Sequence, residues 1–361
     1  MVAAKRGGNS ASYRPSAVAE AGWPDWIDPA ARRRLQEAIR HDRIGHAYLL
    51  SGPKGVGKAV AAQAFAQALC CTNEDREDRS AACGSCRACR NVLRGAHPDV
   101  ETFSLETQAK LADKPGGGST LTIDTIRRLR SSGATFPLES DRRILIVDDA
   151  ETLLEPAQQA LLKTLEEPPK SVTLLLLADE PEALLDTVRS RCQEVSLRPI
   201  PRTAVTQALL SRGVADALAE EVATLSRGRA GWALDAIADK KILNARREER
   251  ESAVRWLRSS LYERLVTAYT FGDQFGNLKR RSEVVGVVQA AIELFREEML
   301  AAAQDTVHDS EAGGRSVPAL SFSRAIAASL QCLSDLDSNV RPRLALEAMV
   351  VAWPTLEPRD R

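Results

Sequence analysis

The stretch YLLSGPKGVGKA, residues 48–59, decides the fold. Its first four residues predict a short buried strand, and the rest fit the phosphate-loop pattern G-x-x-x-x-G-K. Glycines here allow backbone N–H groups to curl around phosphate oxygens at the start of a helix. The glycines concerned are Gly52, Gly55 and Gly57. Lys58 would reach the β- and γ-phosphates of a nucleotide. The next residue normally gives a hydroxyl to Mg²⁺, and Ala59 has none.

The segments around this loop alternate between helix and strand. An Ala-rich helix is expected from Lys58 to about Leu69. Periodicity predicts further strands at 100–103, 144–147, 172–178 and 195–197, and helices at 123–131, 156–167 and 181–188. The helix at 123–131 is expected to end before Gly133. Strands that are apolar throughout indicate a parallel sheet covered by helices on both faces, which ends near Pro199.

Two acidic residues follow the strand at 144–147. In P-loop ATPases such a strand ends in an Asp that orients magnesium, and a following Glu polarises the attacking water. Asp148 fits the first position, and Asp149 occupies the second with a side chain one methylene shorter. The shorter arm moves the carboxylate back by ~1.5 Å, and misplacement by ~1 Å can cost ~10²-fold in rate. Ala59 and Asp149 together argue against efficient hydrolysis, although the carboxylates could also simply cap the strand.

Four of the seven cysteines form a tight cluster, C-x-x-C-x-x-C with a further Cys upstream. Four thiolates can close a tetrahedral structural Zn²⁺ site with no open position for chemistry. The predicted ligands are Cys71, Cys83, Cys86 and Cys89. An iron–sulfur cluster uses the same spacing, but the expected trailing Cys-Pro is missing. Free thiols are the simpler alternative, and Cys70 could exchange roles with Cys71.

Arginines at two places are candidates for phosphate contacts. Arg191 follows a predicted helix and precedes the last strand. In ring ATPases an arginine at such an edge can reach the neighbour's γ-phosphate and stabilise transition-state charge. A solvated surface cation is the alternative. Arg127, Arg128 and Arg130 share the polar side of the 123–131 helix, which could follow a phosphate backbone or be only a solvated face.

The composition is that of an ordinary globular protein, with 361 residues of which 44% are hydrophobic and 27% charged. Lys+Arg and Asp+Glu both number 49, so no overall charge draws the chain to nucleic acid or membrane. We expect no membrane span, because no apolar run is long enough. Residues 1–22 favour a disordered tail over a transit peptide. The clustered cysteines favour a metal site in a reducing compartment, and we expect a cytoplasmic location.

Several of these segments together resemble the bacterial DNA polymerase III clamp loader family, and within it the delta-prime subunits. The resemblance is carried by residues 46–58, the cysteine module, His97-Pro98-Asp99, ALLKTLEEPP at 160–169, and Ser190-Arg191-Cys192. It covers about residues 35–235. Motor subunits of the family keep Ser or Thr after the P-loop Lys and Glu after the strand Asp. They also carry a lid arginine where our alignment places Gly231, although Arg229 is nearby.

The resemblance implies an α/β AAA+ P-loop core at 23–200, a zinc module at about 70–92, a helical lid at 201–242 and an all-α collar at 243–361. The collar would join a hetero-pentameric ring that loads a sliding clamp on primed DNA. Arg191 would act in trans on ATP bound by a neighbouring motor subunit. Retained Lys58 leaves weak ATP binding open, while the chain's own ATPase activity is expected to be weak or absent.

Other interpretations stay open at this point. One is a self-sufficient motor ATPase of the same fold. A second is a zinc-dependent DNA-binding protein with a relic P-loop, which the neutral charge argues against. A third is a pure scaffold in which Arg191 is idle.

Overall fold

The computed structural model describes residues 22–111, 119–308, 319–338 and 340–354. The chain divides into two compact units, Met1–Asp239 and Lys240–Arg361. The predicted N-terminal tail, apart from its last residue, lies outside the described residues. No helix in the described ranges is long and apolar enough to cross a membrane.

Parallel strands form the central sheet of the first unit. They are β1 (Ala47–Ser51), β2 (Val100–Phe103), β3 (Arg143–Val147), β4 (Val172–Ala178) and β5 (Gln193–Ser196). Their order in the sheet is β2-β3-β4-β1-β5, with every pair parallel. The predicted parallel sheet is therefore confirmed, and β4 lies between the strand that precedes the phosphate loop and the strand that ends at Asp148.

Helices cover both faces of this sheet, which explains why its central strands are apolar throughout. The helices are α1 (Pro29–Arg40), α2 (Lys58–Cys70), α3 (Arg87–Leu93), α4 (Leu105–Leu111), α5 (Ile123–Gly133), α6 (Glu155–Glu166) and α7 (Asp186–Arg189). On one face, α5 and α6 insert Ile126, Leu129 and Leu161 into a fully buried cluster. On the other, Phe65 of α2 meets the ring of Tyr48 edge-on at 5.3 Å.

The structure differs from the sequence prediction at the end of α5 and in the helix expected after Pro181. Gly133 is the last residue of α5 rather than a residue beyond it. The helix predicted from Pro181 is broken into a 3-10 turn, Pro181–Ala183, and the short α7. The cause is Gln158, whose amide donates to Ala183 O at 3.2 Å and accepts from Leu185 N at 2.7 Å. These bonds replace the intrahelical bonds of a continuous helix.

A bundle of three helices completes the first unit, and we call it the lid: α8 (Arg202–Leu210), α9 (Asp216–Ser226) and α10 (Ala230–Ala238). The second unit consists of α11 (Lys240–Arg258), α12 (Leu261–Gln274), α13 (Leu278–His308), α14 (Ala319–Asp337) and α15 (Pro342–Val351). Its aromatic core includes Trp256, Phe295 and Trp353. A buried ion pair between Arg246 and Glu293 ties α11 to α13.

Candidate functional site

The phosphate loop joins the carboxyl end of β1 to the first turn of α2. Its glycines have positive φ angles, 143° at Gly52, 83° at Gly55 and 106° at Gly57. A Cβ on Gly52 would collide with the carbonyl oxygen of Leu197, and one on Gly55 would lie 2.8 Å from the Cβ of Trp232. The loop therefore needs glycine both for its backbone conformation and for the close approach of neighbouring chain.

The ammonium group of Lys58 is held by the chain itself. Its Nζ donates to the carbonyl oxygens of Gly52 at 2.6 Å and Pro53 at 3.4 Å. It also forms a short ion pair with Asp179, the residue directly after β4. Asp179 reaches it because β4 is the neighbour of β1 in the sheet. Lys58 is only 9% exposed, so its charge is already neutralised inside the protein.

The lid helix α10 packs directly on the phosphate loop. The N–H of Trp232 donates to Gly55 O at 2.9 Å. A Cβ added at Gly231 would lie 2.8 Å from Gly55 O and 3.4 Å from Gly57 N. The position aligned with the lid arginine of motor subunits thus lies against the loop, where this packing leaves no room for a side chain. The guanidinium of nearby Arg229 lies over the Trp232 ring, 5.7 Å from its centroid.

A cavity of about 50 Å³ at the loop is lined by loop residues with Ala59, Asp148, Asp149 and Asp179, and a separate cavity of about 660 Å³ lies beyond Ala59 and Asp148, towards β2. Sites that hold small molecules usually enclose ~300–1,000 Å³. Burial, followed by repulsion from Asp149, raises the pKa of Asp148 to about 6. Burial also raises the pKa of Asp149. Desolvation and mutual repulsion therefore disfavour the charged forms on which magnesium binding depends.

Two further acidic residues lie at this site, Asp179 and Glu151, and the sequence patterns did not predict them there. Burial raises the pKa of Glu151 to about 7, and its Oε2 is buried with no hydrogen-bond partner among the described residues. Asp179 directly follows an apolar strand, as Asp148 does, and that pattern was the available signal. The pattern alone does not tell which strand lies beside β1, so it could not place Asp179 on Lys58.

The cysteine cluster has the geometry of a metal site. The sulfur atoms of Cys71, Cys83, Cys86 and Cys89 all lie within 4.8 Å of one another. Tetrahedral Zn²⁺ with Zn–S bonds of ~2.3 Å needs sulfurs ~3.8 Å apart, so a small contraction suffices. Backbone N–H groups of Cys86 and Cys89 donate to the sulfurs of Cys83 and Cys86, both at 3.4 Å. The cluster could therefore bind a metal ion.

Hydrogen bonds lower the pKa of Cys83 and Cys86, whereas burial raises the pKa of Cys89 and of the neighbouring Cys70. Burial raises the pKa of Cys83, but hydrogen bonds from Cys86 and Ser85 outweigh it and bring the pKa to about 6. Such bonds favour the thiolate that a metal requires. Cys70 is buried apart from the cluster, and burial raises its pKa to about 12. The structure thus brings Cys71, and not Cys70, to the other three sulfurs.

Arg191 lies just after α7 on the surface of the first unit. Its Nη1 donates to the carbonyl oxygen of Thr187 at 2.9 Å, and its Nη2 lies 2.9 Å from Glu166 Oε1 at the end of α6. The side chain is 38% exposed. The guanidinium is therefore both anchored and accessible.

The arginines of α5 are also exposed, but two of the three face carboxylates. Arg127 pairs with Asp124 at 2.8 Å, and Arg128 lies 3.4 Å from Glu101. These carboxylates reduce the positive field that would attract a phosphate backbone.

A parallel sheet with a phosphate loop after β1 and paired carboxylates after β3 defines the first unit as a P-loop core of the AAA+ class. Residues 27–201 match the family described as DNA polymerase III, delta subunit. The match covers just under half of the chain, and it confirms the resemblance found in the motifs.

Relatives of the chain carry names from the same complex. The DNA polymerase III subunit delta' of Bacillus subtilis (strain 168) is 30% identical over 200 residues, 55% of this chain and 56% of that protein. The subunit delta' of Pseudomonas aeruginosa PAO1 is 37% identical over 186 residues, 51% of this chain and 53% of that protein. The subunit gamma/tau of Mycobacterium tuberculosis H37Rv is 32% identical over 200 residues, 55% of this chain and 32% of that protein. The chain spans about half the length of the delta' relatives it matches.

Proposed function

We propose that the chain is a clamp loader subunit of the delta-prime type that gives Arg191 in trans to a neighbouring ATPase subunit. The observation that carries this proposal is the contrast between its two phosphate-directed cations. Lys58 is 9% exposed and neutralised by Asp179, whereas the side chain of Arg191 is 38% exposed. The chain's own site is occupied by its own groups, while the arginine that serves a neighbour is accessible.

Four features make hydrolysis at the chain's own loop inefficient. Ala59 offers no hydroxyl to Mg²⁺, and Asp149 is shorter than the Glu that polarises water. Asp179 competes with phosphate for Lys58. The lid also lies on the loop through the Trp232 N–H. Any ATP bound at Gly52, Gly55, Gly57 and Lys58 would have to displace both Asp179 and the lid.

The exposed guanidinium suits the opposite role. It is planar, permanently charged, and has more N–H donors than its two intramolecular contacts use. A cation of this kind at a neighbour's γ-phosphate can raise turnover by ~10³–10⁵-fold. Arg191 would therefore supply transition-state charge that the chain's own site does not use.

Exposed apolar side chains on the second unit support the proposal that the chain is part of a ring of subunits. Two of its helices, α12 and α15, carry large apolar side chains that are exposed in the isolated chain. They are Leu261, Tyr262, Val266, Tyr269, Leu344 and Val351. Exposed apolar surface of this kind marks contacts with other proteins. We assign it to the collar of a hetero-pentameric clamp loader that acts in the cytoplasm and loads a sliding clamp on primed DNA.

Zinc on the four cysteines would have a structural role. The four ligands leave no open position for substrate, so the metal would only fix the loop between α2 and α3. The charged loop at 74–79 lies between the first and second ligands.

Replacement of Arg191 in the assembled ring tests the proposal. Arg191→Ala should cut DNA-stimulated ATPase and clamp loading while the ring still assembles. Arg189→Ala is the matched control, because Arg189 lies on the same short helix, its side chain is 36% exposed, and its ion-pair partner among the described residues is Asp186 at 3.4 Å. Normal turnover in the Arg191→Ala ring would refute the trans role, and an equal loss in both variants would indicate a general disturbance of α7.

A self-sufficient motor ATPase is the second candidate, because the gamma/tau relative is similar over 200 residues and Lys58 is retained. Steady hydrolysis by the purified chain alone would support it. A zinc-dependent DNA-binding protein is less consistent with the paired arginines of α5, and salt-dependent DNA binding by the isolated chain would be its signature.

A further inference from the structure

Helix α6 ends in an acidic residue, which runs against the electrostatics of a helix end. The carboxyl terminus of a helix carries partial negative charge and favours cations. Glu166 is nevertheless the last residue of α6, and Glu167 follows it as the cap. The cation that compensates Glu166 comes from another element, because Arg191 Nη2 lies 2.9 Å from its Oε1.

Glu166 and Thr187 hold the same guanidinium from two sides. Thr187 contributes its carbonyl oxygen from α7 at 2.9 Å, and Glu166 contributes a carboxylate from α6. Helix α6 is fixed to the sheet by Leu161 and Leu165, both buried in the cluster that packs on one face of the sheet. The position of the guanidinium is therefore set relative to the sheet, and not only relative to the four residues of α7.

We propose that Glu166 is a positioning residue for Arg191, an inference that rests on the proposed trans role. A long arginine side chain loses much rotamer freedom when it is held in one place. The contact with Glu166 restricts the arginine side chain before the neighbouring subunit binds, so the guanidinium meets the phosphate in a fixed orientation. N–H donors not used by Thr187 and Glu166 stay available for the phosphate oxygens.

A competing role for Glu166 gives the opposite result. A carboxylate that only neutralised Arg191 would keep the guanidinium away from the neighbour's phosphate. Its removal would then raise the ATPase turnover of the ring. A positioning carboxylate, once removed, slows the chemical step and leaves the neighbour's affinity for ATP nearly unchanged, since misplacement acts on the transition state.

The test uses the assembled clamp loader with Glu166→Ala, Glu166→Gln and Arg191→Ala in this chain. Glu167→Ala is the matched control, an adjacent acid at the same helix end that is outside the Arg191 pair. We expect Glu166→Ala to lower kcat at least about threefold towards the Arg191→Ala level, with KM for ATP within about twofold. Glu166→Gln keeps an acceptor oxygen and should recover part of the loss, while Glu167→Ala should match the wild type.

The double variant Glu166→Ala/Arg191→Ala decides whether the two residues act together. It should turn over as Arg191→Ala does, because a positioning residue has nothing left to position. A Glu166→Ala ring that runs at or above the wild-type rate, or a double variant slower than Arg191→Ala, would overturn the inference while the trans role stands. Normal turnover in Arg191→Ala would overturn both.

Discussion

Asp179 forms an ion pair with Lys58, the lysine that a nucleotide phosphate would need. Replacement of Asp179 should therefore make Lys58 available to a nucleotide. In Asp179→Asn the amide keeps the size of the side chain but has no charge to hold Lys58. The ammonium group would then keep only the carbonyl oxygens of Gly52 and Pro53. We expect this variant to bind ATP more tightly than the wild type.

The expected gain follows from the charge pair. Unit charges ~3 Å apart attract by ~5 kcal/mol at an effective dielectric constant of ~20. The Asp179 side chain is 31% exposed, so water screens part of this attraction. We take ~1.4–2.8 kcal/mol as the share that a phosphate must replace, which corresponds to ~10–100-fold in affinity. The variant should also unfold more easily without ligand, because Lys58 is left buried with reduced compensation.

Isothermal titration calorimetry of the isolated chain with ATP, with and without Mg²⁺, measures this gain. Asp124→Asn is the control, since Asp124 is an exposed acid on α5 that pairs with Arg127. The control should bind as the wild type does. Equal ATP affinity in the wild type and Asp179→Asn would refute the idea that Asp179 competes with phosphate. Tight binding to the wild type would refute it too.

Three further outcomes follow from the site and the lid. Elemental analysis should find about one zinc ion per wild-type chain; Cys86→Ser should lose this ion, while Cys70→Ser should keep it. The folded-state pKa of Asp148, about 6, lies above the ordinary Asp value. The free energy of unfolding therefore falls as the pH rises from the ordinary Asp pKa to about 6, because the unfolded chain releases this proton first. Urea unfolding should therefore show Asp148→Asn gaining ~1–3 kcal/mol over the wild type between about pH 4 and about pH 8. Gly231→Ala should cost ~1–3 kcal/mol, because its Cβ meets the loop carbonyl, whereas Gly276→Ala meets nothing within 4 Å and should be neutral.

Local sequence patterns predicted the framework of the first unit well. The apolar runs at 144–147 and 172–178 became β3 and β4, because strands covered on both faces must be apolar throughout. The phosphate loop also lies where its glycines predicted. In each case the residues that determine the structure are close in sequence.

Features that depend on distant residues could not be predicted in this way. Gln158 breaks the helix expected after Pro181 through bonds to Ala183 and Leu185. Asp179 reaches Lys58 only because β4 lies beside β1, which strand order decides and composition does not. The sequence identified Gly231 only as the position where motor subunits carry an arginine. The structure shows in addition that the lid packs against the phosphate loop at this residue.

The most direct test of the account compares Lys58→Met and Arg191→Ala in the same reconstituted clamp loader ring, with DNA-stimulated ATPase as the readout. The account predicts that Lys58→Met leaves turnover close to wild type, while Arg191→Ala lowers it strongly. Loss of turnover in Lys58→Met with normal turnover in Arg191→Ala would contradict it.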